Sequence, residues 1–407
     1  MLILAMDDAS PTNEPPSALP TRVLFVTNES TYLLGHRMPL IRRLQQAGVQ
    51  LHVITDAKAS RASWPADIPL TDRPIPRFRL SVSQDSRFFW TVFNSIRKQR
   101  PDLVHAITVK GNVLAAAAVQ LARITEHRRL PLVMTVPGLG RVFARTQAGA
   151  GAHIRRWLVS RVLAGAARSA HTALTFENPH DRAVYRSLKI VDRRRGVVTR
   201  GTGINPAAFT PHRPRPNGTK NVTVLFAGRL LRSKGLDLVL AAADALAQSH
   251  PSTRFLIAGG PTPGDPDCVD PNQLEGRPNV IALGHVDTLP ELMACADIFC
   301  LPTRYGEGLP RSLMEAAASG CAVVASRHPG CRAFVRSGQT GLLIDAEGPG
   351  AAVRLTDAIV RLIEDPSLRG RLAQHGLSRV RDDGFDQTAV VDHFLETYRA
   401  ALCGTGP

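Results

Sequence analysis

The stretch Ile298-Phe299-Cys300-Leu301-Pro302-Thr303, continued by Gly306-Glu307-Gly308-Leu309-Pro310-Arg311-Ser312-Leu313-Met314-Glu315-Ala316-Ala317-Ala318-Ser319-Gly320 and closed by Ala322-Val323-Val324-Ala325, reads strand, loop, helix, strand. The two apolar runs are short and uninterrupted, as expected of strands buried on both faces of a parallel sheet. Pro310 suits the first helical position and Gly320 the position just past the last. The helix then begins directly after Glu307-Gly308. Its free backbone N–H groups point at the loop and make an anion site, and Gly308 lets a ligand approach the backbone closely. Glu307 before the helix and Glu315 a turn and a half inside it bracket that site. Such an arrangement suits a sugar nucleotide, with diphosphate on the backbone and hydroxyls on the carboxylates.

The same rhythm extends in both directions. Towards the N-terminus, Val222 to Ala227 is a strand, followed by a glycine-bounded loop, the helix Leu236 to Gln248 and the strand Arg254 to Ala258. Val280 to Leu283 adds another strand. A proline-rich stretch (Pro206, Pro211, Pro214, Pro216, then Gly218) reads as a linker. Before it an independent series begins at Val23-Leu24-Phe25-Val26-Thr27. A loop follows, then the helix Pro39 to Ala47 and the strand at Leu51 to Ile54. Further strands are expected at Leu103 to Ala106, Leu132 to Val136, Ala173 to Phe176 and Gly196 to Thr199, with a helix near 111–124. The expected organisation is therefore a disordered tail over 1–20, an acceptor-binding Rossmann-like domain over 21–203 and a linker over 204–221. A nucleotide-sugar-binding Rossmann-like domain over 222–385 follows, then a last helix within 386–407 that can pack back on the first domain. In open parallel sheets ligands bind beyond the carboxyl ends of the strands, so two facing sheets enclose a central cleft.

Charge is unevenly distributed. Residues 1–200 hold 30 of the 50 Lys and Arg but 13 of the 34 Asp and Glu, so the first half carries all of the net +16. That asymmetry points to a polyanionic partner: a phosphorylated substrate, an anionic membrane or nucleic acid. Residues 141–170 contain Arg141, Arg145, Arg155, Arg156, Arg161 and Arg168 and no acid, with Trp157, Leu158, Val162 and Leu163 interleaved. This predicts a basic amphipathic helix fit to lie among lipid headgroups, or a surface helix with its apolar face on the core. The six cysteines include no C-x-x-C pair and several sit in apolar runs, as in a reduced, cytoplasmic protein. No stretch reaches the ~20 apolar residues of a membrane span, and the N-terminus lacks signal-peptide character.

The Glu307-x7-Glu315 spacing with Gly308-Leu309-Pro310 resembles the signature of retaining glycosyltransferase family 4. The strand ending at Ala227 and the loop Gly228-Arg229-Leu230-Leu231-Arg232-Ser233-Lys234-Gly235 resemble that family's G-R-x-x-x-x-K-G element. Asn28 to Leu40, Val136 to Gly140, Phe176-Glu177-Asn178-Pro179-His180-Asp181, Gly201-Thr202-Gly203-Ile204-Asn205, Pro329 to Arg332 and Gly338 to Leu343 are similar to bacterial members. Those members extend lipid-linked oligosaccharides for surface polysaccharide. The resemblance implies an α/β GT-B fold, two Rossmann-like domains with parallel sheets facing a central cleft. It implies Glu307, Arg229, Lys234 and His36 as catalytic residues. Gly228, Gly308, Leu309, Pro310, Glu315, Gly35, Gly201 and Gly203 would bind the donor. Arg229 and Lys234 would offset charge on the departing diphosphate, a type of contact typically worth ~3 kcal/mol. Lys110, Arg141, Arg155, Arg156 and Arg161 are the expected contacts to a polyprenyl-pyrophosphate acceptor and an anionic membrane surface. UDP-sugar is the implied donor, with no cofactor and no metal, at the inner face of the cytoplasmic membrane. Many members carry a catalytic histidine in the loop that here reads Val136-Pro137-Gly138-Leu139. That role is either absent or falls to His36 or His105. Many also have a Gly-Gly pair where only Gly35 stands here.

A sugar-nucleotide epimerase shares the two-domain architecture, and a basic nucleic-acid-binding protein would explain the charge. No helix-turn-helix, zinc or aromatic-platform motif supports the latter. A dinucleotide dehydrogenase requires G-x-G-x-x-G at a strand end, which Gly201-Thr202-Gly203 does not complete. Asp265-Pro266-Asp267 has the D-x-D form of a metal motif, but it lies in a Pro/Gly-rich loop, and no metal role is expected of it.

Overall fold

The computed structural model describes all residues except 1–18, 77–79, 144–149, 193–195, 210–220, 263–264, 305 and 406–407. The expected tail and most of the expected linker fall outside the described residues. The strands are β1 (Arg22–Thr27), β2 (Gln50–Thr55), β3 (Leu70–Asp72), β4 (Leu103–Ile107), β5 (Leu132–Val136), β6 (Thr172–Phe176) and β7 (Val197–Val198), then β8 (Thr223–Ala227), β9 (Arg254–Ala258), β10 (Val280–Gly284), β11 (Ile298–Leu301), β12 (Ala322–Ser326) and β13 (Leu342–Ile344). The helices of the first half are α1 (Ser30–His36), α2 (Met38–Gln46), α3 (Val82–Gln99), α4 (Val109–Thr125), α5 (Gly140–Phe143), α6 (Ala150–Ala167) and α7 (Pro179–Ser187). Those of the second are α8 (Leu236–Ser249), α9 (Leu289–Ala294), α10 (Arg311–Ala318), α11 (Pro329–Phe334), α12 (Ala351–Glu364), α13 (Pro366–Asp382) and α14 (Gln387–Cys403).

Two all-parallel sheets result, in the orders β3-β2-β1-β4-β5-β6-β7 and β10-β9-β8-β11-β12-β13. Strands β4, β5, β6, β8, β11 and β12 are buried at every position. Helices cover both faces, as parallel strands require. The expected pair of Rossmann-like domains with sheets facing a cleft is therefore the fold. Strand order reverses between β1 and β4 in the first sheet and between β8 and β11 in the second, the places where such sheets open a crevice.

Three local features place the site. The segment after β1, expected to be a loop, is helix α1, which buries Ser30 and Leu33. Helix α4 lies against β1 through Gly111, where a Cβ would come within 3.3 Å of Val26 O and Thr27 Cα. Helix α14, capped by Asp386 Oδ1 on Thr388 N and Ala389 N, returns to the first domain. There Val390, Phe394 and Tyr398 join Phe25, Ile41 and Ile107 in one core cluster.

Helix α6 differs from the expected single apolar face. Leu163, Ala166 and Ala167 are buried and join α4's core cluster, against which Val159 and Val162 also pack. Ile154, Trp157 and Leu158 form a second apolar face that is 52–60% exposed. Leu163 is a core residue and the half-buried Val162 packs beside it, so neither belongs to the outer face.

Candidate active site

A cavity of about 880 Å³ lies between the carboxyl ends of the two sheets. From the first domain it is lined by Asn28, Thr108, Pro137 and Glu177, which follow β1, β4, β5 and β6. From the second it is lined by Arg229 and Lys234 after β8 and by Gly306 to Ser312 after β11. Glu307, Arg229, Lys234, His36, Gly308, Leu309 and Pro310 all reach it, as do Lys110 and Arg155.

On the second domain, Lys234 forms an ion pair with Glu307, both side chains nearly buried. Burial, followed by the neighbouring Arg229 guanidinium, depresses the Lys234 ammonium to about 7. The loop that carries Lys234 is held by Asp267, whose Oδ2 accepts from Ser233 N at 2.8 Å. The Asp265-Pro266-Asp267 motif is thus a brace for the cationic loop. Gly235, at φ +81°, would drive a Cβ to 2.3 Å from Pro302 O, so glycine is required where this loop meets the end of β11.

Helix α10 starts at Arg311, one residue later than expected, with Pro310 as its cap. One of its expected free amides is taken: Leu309 N donates to Glu177 Oε2 across the cleft at 3.3 Å. Glu315 is buried and does not line the cavity. Burial raises its carboxyl, an effect that Arg311 opposes from 2.7 Å. Arg311 itself lines the cavity and donates to Gly35 O at 2.6 Å, joining α10 to the first domain. Sequence reasoning did not single out Arg311.

On the first domain, His36 stands beside Tyr32 with ring centroids 4.7 Å apart. Burial, then Arg37 and Arg311, lower it to about 3, so it is neutral at working pH. His105 is not a cleft residue. It is fully buried in β4, bonded to Tyr398 Oη and Thr135 Oγ1 at 2.7 Å each, so its proposed catalytic role gives way to a structural one. Lys110 pairs with Asp85 at 2.7 Å and donates to Pro76 O at 2.8 Å, on a wall completed by Leu80, Val113, Leu114 and Val159. Arg156 lies on α6 with Nε donating to Val142 O at 3.3 Å, and Arg161 stacks over Trp157 on the outer face, 5.9 Å from its centroid. The side chain of Arg141 lies outside the described residues.

Four glycines expected at the donor do not line the cavity. Gly35 is inside α1 with open space about it, since the expected loop is helical. Gly201 (φ +75°) packs on Leu309, and Gly203 (φ +63°) packs on Asp386 and Gln387, where the chain crosses between domains. Gly228 lies against Gly259, and it is Gly259 that must be glycine, since its Cβ would sit 1.8 Å from Gly228 O. Gly201 and Gly203 need glycine for their positive φ and close neighbours, whereas Gly35 and Gly228 have room for a Cβ, and local sequence does not distinguish the two cases.

Residues 36–200 match the family described as Glycosyl transferase 4-like domain, and residues 221–365 match Glycosyl transferases group 1. The chain is 33% identical over 193 residues to the phosphatidyl-myo-inositol mannosyltransferase of Mycobacterium tuberculosis, covering 45% of this chain. It spans about half the length of the curated mannosyltransferases it matches, 48% in that case. It is 24% identical over 388 residues to the N,N'-diacetylbacillosaminyl-diphospho-undecaprenol alpha-1,3-N-acetylgalactosaminyltransferase of Campylobacter jejuni, covering 93% of this chain and 98% of that one. Among solved structures, Anabaena Alr3699/HepE in complex with UDP and glucose superposes with a TM-score of 0.70 at 22% identity, over 93% of this chain and 99% of that one. Sucrose-phosphate synthase from Thermosynechococcus elongatus gives 0.72 at 20%, over 93% and 98%.

Proposed function

We propose that this chain, a glycosyltransferase-family protein of GT-B fold with one 4-like and one group 1 domain, transfers a sugar from a UDP-sugar to a polyprenyl-pyrophosphate-linked saccharide with retention of configuration. The observation that carries the reading is the meeting of two unlike walls at one cavity. Glu307, Lys234 and Arg229 stand on one side. Lys110 and Arg155 stand on the other, beside an apolar strip of Leu80, Val113, Leu114 and Val159. The first wall suits a diphosphate and a sugar. The second suits a phosphorylated carrier with a hydrocarbon tail.

In this reading Arg229 and Lys234 stabilise charge on the departing nucleotide diphosphate, the preorganised electrostatics that glycosyl transfer needs. Glu307 orients the donor sugar, and Glu315, buried behind the cavity wall, holds Arg311 at its edge. The acceptor hydroxyl enters on the face the diphosphate leaves, and the diphosphate oxygen takes its proton. His36, neutral and at the cavity wall, can accept a hydrogen bond from the acceptor. Charge neutralisation by the two cations leaves no step for a metal. Two relatives support the acceptor class: one is named for a diphospho-undecaprenol substrate and one for phosphatidyl-myo-inositol. A place at the inner face of the cytoplasmic membrane in surface polysaccharide synthesis follows from that class. No helix among the described residues is long and apolar enough to cross a membrane. The outward Ile154-Trp157-Leu158 face of α6, with Arg161 beside it, suits peripheral contact with an anionic surface.

The matches to transferase families favour this reading over the epimerase and nucleic-acid alternatives. The test is incubation with labelled UDP- and GDP-sugars, with and without a polyprenyl-pyrophosphate saccharide. Label entering the organic phase from one donor, in EDTA, with the donor's anomeric configuration kept, is the expected result. Conversion of donor without acceptor would instead identify an epimerase.

A further inference from the structure

The loop that carries Glu307 is held from the opposite domain by two consecutive residues. Glu177 Oε2 accepts from Leu309 N at 3.3 Å, and Asn178 Nδ2 donates to Gly308 O at 2.8 Å. The contact is intimate: a Cβ on Gly308 would lie 2.2 Å from Pro137 O and 2.5 Å from Glu177 Oε2. Both partners on the loop are backbone atoms, so the grip fixes where the loop lies rather than how one side chain turns.

Each of the two side chains is committed at its other end. Asn178 Oδ1 caps α7 by accepting from Asp181 N at 2.9 Å, which leaves Nδ2 facing the second domain. Glu177 Oε1 accepts from Tyr32 Oη at 2.7 Å and from Arg37 at 3.1 Å, so its other oxygen is the one turned to Leu309. Arg37 is itself 1% exposed and lies over the Phe394 ring of α14, 4.9 Å from its centroid. The grip is thus tied to α1, α2 and the returning C-terminal helix.

We propose that Glu177 and Asn178 form an interdomain clamp that sets the closure of the cleft and holds the Gly306–Arg311 loop in register with the acceptor wall. The inference rests on the transferase reading for what closure accomplishes, and on geometry alone for the clamp. Both are positioning residues, acting through the loop that presents Glu307. Misplacing reacting groups by about 1 Å can cost on the order of 100-fold in rate. A broken clamp therefore lowers kcat more than it raises the KM for the donor.

Asn178→Asp separates the clamp from the helix cap. Aspartate caps a helix as well as asparagine does, but its second oxygen faces the Gly308 carbonyl and cannot donate to it. The expected result is a thermal midpoint lowered by the buried carboxylate but still above the assay temperature, a kcat per folded molecule lowered about tenfold or more, a donor KM within about threefold, and a larger radius of gyration by small-angle X-ray scattering. Asn178→Ala is expected to lose cap and clamp together. Gly308→Ala, which pushes the loop off Pro137, is expected to reproduce the expansion with the cap intact. Wild-type scattering and kcat in Asn178→Asp would overturn the clamp. So would an activity loss that only follows a lowered thermal midpoint. The scattering arm reads the clamp even if no donor is transferred, so failure of the transferase reading and failure of the clamp give different results.

Discussion

Lys234 is the residue whose chemistry is most exposed to test. Held near 7 by burial and Arg229, it loses its proton as pH rises through that value, and with it the charge that, on the proposed function, meets a diphosphate. UDP binding is therefore expected to weaken several-fold between pH 6 and pH 8.5, and to be accompanied by proton uptake near pH 7.5. Calorimetry in two buffers of different ionisation enthalpy measures that uptake directly, and its absence would contradict the assignment. Lys234→Arg, charged throughout, should bind UDP without the pH dependence. His105 tests the opposite case. His105→Phe strands the Tyr398 hydroxyl in the core and should destabilise by about 1–3 kcal/mol in denaturant titration, with kcat per folded molecule unchanged. At this scale the sequence shows which residue types chemistry needs, as in Gly228-Arg229 to Lys234 and Glu307. It does not show partners. Nothing local to Glu177 announces Arg37 or Leu309, 140 and 132 residues away.

Among the elements, strands were the most legible, because a run buried on both faces is apolar throughout. Helices with mixed surroundings were less so. Segment 30–36 holds Gly35 and no charged residue before His36, and its helical character comes from packing Leu33 beneath the first sheet. Helix α6 shows apolar residues on two faces, and only the neighbouring α4 decides which is core. The basic residues of this helix carry the membrane prediction, Arg161 from the outward face and Arg155 from the cavity wall. Replacing Arg155, Arg156 and Arg161 by alanine should weaken binding to anionic vesicles in a sedimentation assay and leave binding to neutral vesicles unaffected. Equal binding by variant and wild type would remove α6 from that role. For α14, Phe394→Ala should cost about 3–5 kcal/mol, since the ring is buried between Arg37 and His105. Its loss should appear as unfolding of the first domain, although the residue lies in the last helix.

For the whole molecule, the two-sheet plan could be read from one strand–helix–strand rhythm interrupted by prolines, and the cleft from the rule that ligands sit beyond strand ends. How the halves meet could not. The contacts between them join Gly35 to Arg311, Asn178 to Gly308 and Glu177 to Leu309, each more than 100 residues apart. They turn two sites into one. On the proposed function, this single cavity transfers sugar from a nucleotide to a lipid-linked acceptor through Glu307. The most direct measurement compares wild type with Glu307→Gln at saturating UDP-sugar and polyprenyl-pyrophosphate saccharide, following label into the lipid fraction beside UDP binding by calorimetry. Expected are transfer by the wild type, a loss of about 100-fold or more in the variant, and UDP affinity changed by less than about tenfold. Equal transfer by the two proteins would contradict that function.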